Sequence, residues 1–96
     1  MLNPDVPMTA GKSAAQVGHG TMLLASALGS AEVEAWRDRG FACAVRTASP
    51  QQWAELAPGD DPERAWRSDG VIAVRDAGFT EIAPGTITVL AQRRGL

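Results

Sequence analysis

Lys12 and His19 are the sole lysine and the sole histidine of this 96-residue chain, seven residues apart. At about 3.6 residues per helical turn, that spacing returns both side chains to nearly one face, with Gln16 between them at about 40° from Lys12. A column of ammonium, amide and imidazole can hold a polar substrate and manage a proton. Lys12 also falls in the first turn of a predicted helix, where unpaired backbone N–H groups favour an anion such as phosphate. The spacing suits equally a solvated lysine and a satisfied, partly buried histidine, so both readings stand open.

A second group of residues able to do chemistry is Asp76-Ala77-Gly78-Phe79-Thr80-Glu81-Ile82-Ala83-Pro84-Gly85-Thr86. Asp76 directly follows an apolar run that reads as a strand. Ligands of α/β sheets bind beyond the carboxyl ends of strands, which places a carboxylate there well. Gly78 and Gly85 permit tight backbone bends, and Thr80 can orient a water or a ribose hydroxyl. The alternative is that Asp76 caps a turn and Pro84-Gly85 forms a plain β-turn. Trp36, Trp53 and Trp66 each sit on an amphipathic helical piece, where packing against a sheet is the expected role. Arg93-Arg94 reads as a solvated tail. Metal-ligand spacing, a nucleotide-binding glycine loop and a G-x-S-x-G elbow are all missing from the sequence.

The elements that must position these groups follow from local signals. Thr9 caps a helix predicted over about 10 to 28, rich in small residues and carrying internal Gly18 and Gly20. Each such glycine costs about 1 kcal/mol relative to alanine, which predicts close approach of another surface. A second helix is expected over 31 to 39, starting at Ser30 and stopping at Gly40. Phe41-Ala42-Cys43-Ala44-Val45-Arg46 reads as a buried strand with a buried thiol. Ser49-Pro50 opens a helix to Leu56, and Asp61-Pro62 opens another to about Ser68, stopped by Gly70. Val71 to Arg75 and Thr86 to Ala91 read as strands. Pro4 and Pro7 leave the first residues too short for one. This order predicts an α/β layered single domain over 1–96 with a small mixed sheet.

Composition bounds the function. Hydrophobic residues make up 45% and charged residues 21%, with one cysteine, as in an ordinary globular domain with one core. No apolar run approaches the ~20 residues of a membrane span, and the first residues lack a secretory pattern; a cytoplasmic protein is expected. The net charge of −2 argues against nonspecific grip on nucleic acid. The acids concentrate in Glu55, Asp60, Asp61 and Glu63, which leaves the other surfaces less negative.

Two segments together carry a family likeness. Thr9-Ala10-Gly11-Lys12-Ser13-Ala14-Ala15-Gln16-Val17-Gly18-His19-Gly20 resembles the G-K-x-A-A-Q-x-x-H segment of class II peptidyl-tRNA hydrolases. The stretch from Asp76 through Thr86, continued by Ile87-Thr88-Val89-Leu90, resembles that family's D-A-G-x-T-[EQ]-I-x-P-G-[ST]-x-T-V-L signature. The likeness extends over nearly the whole chain and points to a bacterial member, divergent or truncated. It implies a four-stranded mixed sheet flanked by helices in three layers, and hydrolysis of the ester joining a peptide to the tRNA 3′ end. By matching position it implies Lys12, His19, Asp76, Thr80 and Thr88 as catalytic residues, with Gln16, Gly78 and Gly85 binding substrate. It implies no metal or organic cofactor, peptidyl-tRNA as partner, no membrane, and room for a homodimer. Pro7 and Ala10 stand where the family often has lysines, which lowers the expected affinity for tRNA. The competing expectations are a non-catalytic binding module that keeps the fold and pocket, and a structural or dimerisation domain. The latter would bury Lys12, His19 and Asp76 at a cost without return.

Overall fold

A computed structural model describes residues 1–76 and 85–93. Four helices precede a hairpin-like pair of strands: α1 (Ala10–Ala27), α2 (Ser30–Asp38), α3 (Pro50–Leu56), α4 (Pro62–Asp69), β1 (Val71–Arg75) and β2 (Ile87–Gln92). The starts of three helices follow their caps. Thr9 accepts from the Lys12 amide, Ser49 and Gln52 form a reciprocal capping box around Pro50, and Asp61 accepts from the Arg64 amide. Each side chain satisfies a helix-start N–H that has no partner within the helix. At α2 the cap is Gly29, without a side-chain bond; the expected cap, Ser30, lies inside the helix.

The strands β1 and β2 pair antiparallel, from Val71 opposite Gln92 to Arg75 opposite Ile87. The ladder shifts between Val74, opposite Val89, and Arg75, so Thr88 is the extra residue of a bulge. The bulge breaks the period-two alternation, and Thr88, Val89 and Leu90 are buried in succession. Leu90 and Val71 are fully buried, a contribution of about 1.5–3 kcal/mol for each side chain. Ala65 of α4 joins them, with Trp53 and Leu56 packed alongside.

Helix α1 crosses both strands, and its glycines are not equivalent. A Cβ at Gly20 would lie 3.3 Å from Val74 and 3.4 Å from Ala91, whereas one at Gly18 would meet nothing within 4 Å. Close approach therefore explains Gly20 and not Gly18.

Of the expected four-stranded sheet, the described residues hold a two-stranded ladder extended by single bridges. Leu2 bridges parallel to Thr47 and antiparallel to Val89. The amide of Leu2 donates to the Arg46 carbonyl at 2.8 Å, and that of Asn3 to the Thr88 carbonyl at 3.0 Å. Residues 1–3 thus lie between β2 and residues 46–48, a pairing that the proline-flanked sequence did not announce. The strand expected over residues 41–46 is absent and every residue of it is exposed. Cys43, expected to be buried, is exposed with it. The physical reason is pairing: an apolar run becomes a buried strand only with a neighbour to take its main-chain groups, and pairing with residues 1–3 reaches only as far as Arg46. A cavity of about 350 Å³ opens beside this run, bordered by Val17, Leu24, Leu28, Trp36, Val45 and Ala91. Trp36 packs edge-on against Phe41, its indole N–H donating to the Ala42 carbonyl at 3.0 Å. Trp36, itself buried, therefore fixes the start of this loop. Arg93 is no free tail either: it pairs with Glu32 at 3.1 Å and lies over the Trp66 ring.

Candidate active site

The acid is positioned by its backbone. Asp76 follows β1 directly, its amide donates to the Thr86 carbonyl at 2.8 Å, and its carbonyl accepts from Gly85 at 2.9 Å. Gly85 has φ +82, a left-handed conformation that suits glycine at this closing turn. With the bulge just before it, this clasp turns the Asp76 side chain toward α1.

Helix α1 answers with three residues of one face. The Lys12 ammonium lies 2.7 Å from Asp76 Oδ2, with the lysine side chain 23% exposed and the aspartate side chain fully buried. Gln16 Nε2 approaches the same oxygen at 3.4 Å. On its other side, Gln16 Oε1 stands 3.1 Å from His19 Nδ1. Gln16 is buried, and His19 is exposed. The result is a chain of contacts, Lys12 to Asp76 to Gln16 to His19, that begins at a partly exposed cation, passes through a buried anion and amide, and ends at an exposed imidazole.

A buried carboxylate is tolerated because a cation and hydrogen-bond donors meet it. An ion pair of this kind adds little net stability over apolar packing, which favours a functional reason for its retention. Chemically, the ammonium offers charge stabilisation to an oxyanion or phosphate, and the imidazole offers proton transfer.

The other residues singled out in the sequence fall differently. Thr88 is fully buried in the bulge, its hydroxyl donating to the Val74 carbonyl at 3.4 Å. Gln16 directs its amide to two protein groups, where the sequence suggested contact with substrate. Thr80 and Gly78 lie outside the described residues. The separation of Lys12, Gln16 and His19 along the helix was readable from spacing; that Gln16 joins the acid to the imidazole was not, because it depends on where Asp76 arrives from 60 residues away.

Comparison with known proteins finds similarity over nearly the whole chain. The family described as "Peptidyl-tRNA hydrolase PTH2" matches residues 1–93. A protein of Haloquadratum walsbyi named peptidyl-tRNA hydrolase is 37% identical over 90 residues, covering 91% of this chain and 75% of the relative. A protein of the same name from Halobacterium salinarum is 34% identical over 88 residues, again covering 91% and 75%.

Proposed function

Given that this chain belongs to the peptidyl-tRNA hydrolase PTH2 family, we propose that Lys12, His19 and Asp76 carry its reaction, in roles set by their exposure. The chain is an ester hydrolase acting on peptidyl-tRNA. In that reaction the oxygen of a water bonds to the ester carbonyl carbon, and the bond from that carbon to the ribose oxygen breaks. The ribose oxygen takes one proton of the water, and the peptide leaves as a carboxylic acid that gives the other proton to solvent.

His19, exposed at the end of the contact chain, takes the proton from the attacking water and returns it to the ribose oxygen. Lys12, whose ammonium is partly open to solvent, stabilises the developing oxyanion or holds the 3′-terminal phosphate. Asp76 is too buried to reach a substrate directly; it anchors Lys12 and acts on His19 through Gln16. Thr80 holds the water or the terminal ribose in this scheme, and Gly78 and Gly85 shape the substrate pocket, on the sequence likeness alone; Thr88, named by the same likeness, is as buried as Asp76 and supports the strand behind it. A class II bacterial origin, a cytoplasmic setting, a domain spanning 1–96 and a sheet completed to four strands belong to the same proposal.

The observation that carries the proposal is the 2.7 Å pairing of the sole lysine with a fully buried aspartate. Its test is the salt dependence of peptidyl-tRNA binding together with hydrolysis by Lys12→Ala. Affinity falls steadily as salt rises, because phosphate contacts release counterions, and hydrolysis by the variant drops about 100-fold or more. Salt-independent binding with no turnover by the wild type would favour a binding module that keeps the pocket.

A further inference from the structure

We propose that Gln16 is a positioning residue that fixes His19 in its Nδ1–H tautomer, leaving Nε2 as the acceptor turned toward substrate. The catalytic consequence rests on the hydrolase reading above; the tautomer does not.

The inference starts at Asp76. A carboxylate 2.7 Å from an ammonium is ionised and can only accept hydrogen bonds. Gln16, 3.4 Å from the same Oδ2, must therefore turn its NH2 toward Asp76. The reverse orientation would set the amide oxygen against a carboxylate oxygen, two acceptors facing in a buried place. With the NH2 so fixed, the Gln16 oxygen is what faces His19 Nδ1 at 3.1 Å. An amide oxygen accepts and cannot donate. In neutral imidazole the proton must then sit on Nδ1, and Nε2 keeps its lone pair. Because Nδ1 is the ring atom turned inward to Gln16 and His19 is exposed, Nε2 sits at the far edge of the ring, away from that contact.

A neutral histidine side chain in water prefers the other tautomer, with the proton on Nε2. The site therefore reverses the intrinsic preference, and the reversal is what a base needs: a lone pair directed to the attacking water. Gln16 touches no reacting atom in this scheme. It relays the charge state of Asp76 into the direction of the imidazole lone pair, as the partners of catalytic and metal-bound histidines fix their tautomers.

His19 is the sole histidine, so long-range 1H–15N correlation spectra of uniformly labelled protein report on it without ambiguity. At about pH 8.5, above the ordinary histidine range, the wild type should show an unprotonated Nε2 and a protonated Nδ1. Gln16→Met, of similar shape but without hydrogen bonds, should move the pattern toward Nε2–H. Its kcat should fall about tenfold or more while KM stays within about twofold. An Nε2–H wild type, or an unchanged tautomer in Gln16→Met, overturns the inference. A shifted tautomer with unchanged kcat overturns the positioning role. The wild-type spectrum decides the tautomer even if the variant fails to fold. A wild type with the expected tautomer but no hydrolysis would instead refute the hydrolase reading and leave the tautomer standing.

Discussion

The two edges of the sheet are built from similar apolar residues and end in opposite states. On the β1 side, main-chain pairing runs from Val71 opposite Gln92 to Arg75 opposite Ile87, α1 lies close enough that a Cβ at Gly20 would press on Val74 and Ala91, and Leu90, Val71 and Val74 are buried. On the other side, residues 41–46 have the composition of a strand, yet Val45 is 52% exposed and a cavity of about 350 Å³ separates the run from α1 and β2. Hydrophobicity is comparable; completed main-chain pairing is the difference. The candidate site sits on the tightly built side, where a bulge and a clasped turn hold Asp76 against α1. Groups that must be placed within a fraction of an ångström need that support, and the open edge does not provide it.

Five substitutions sharpen this contrast, beginning with the largest expected effect. Lys12→Met removes the ammonium 2.7 Å from the fully buried Asp76 carboxylate and should destabilise the fold by about 3–5 kcal/mol, read from urea unfolding midpoints; a loss under about 1 kcal/mol would mean that this pair does not hold the site together. Leu90→Ala on the closed side should cost about 2–5 kcal/mol. Its counterpart on the open side, Val45→Ala, should stay within about 0.5 kcal/mol, and equal losses in the two variants would erase the distinction between the edges. The two faces of α1 should respond in opposite directions. Gly20→Val should destabilise by about 1–3 kcal/mol through overpacking against Val74 and Ala91, while Gly18→Ala should stabilise by about 0.4–1 kcal/mol. Thermal melts would read both, and a stabilising Gly20→Val would show that α1 stands further from the sheet.

Much of this arrangement was legible in the residues. Thr9, Ser49-Pro50 and Asp61-Pro62 announced three helix starts, and the apolar run after Gly70 announced β1. The face shared by Lys12, Gln16 and His19 followed from helical periodicity. What escaped depended on partners distant in sequence. The run at 41–46 carries a strand's composition, but composition cannot say that pairing stops at Arg46. The bulge at Thr88 is invisible in Thr86-Ile87-Thr88-Val89-Leu90, which alternates as a regular strand would. The pairing of Leu2 with both Thr47 and Val89 lies in a proline-flanked stub with no periodicity to read. In the site, spacing put the right residues on one helix face, but the relay through Gln16 needed the position of Asp76.

The central claim is that this lysine, histidine and aspartate form a working ester-hydrolysing site. It is tested most directly by release of peptide from a bulk N-acetyl-aminoacyl-tRNA substrate, comparing the wild type with Asp76→Asn. The account predicts turnover by the wild type and a loss of about 100-fold or more in the variant, with circular dichroism showing both folded. An Asp76→Asn protein that hydrolyses within a few-fold of the wild type would contradict it.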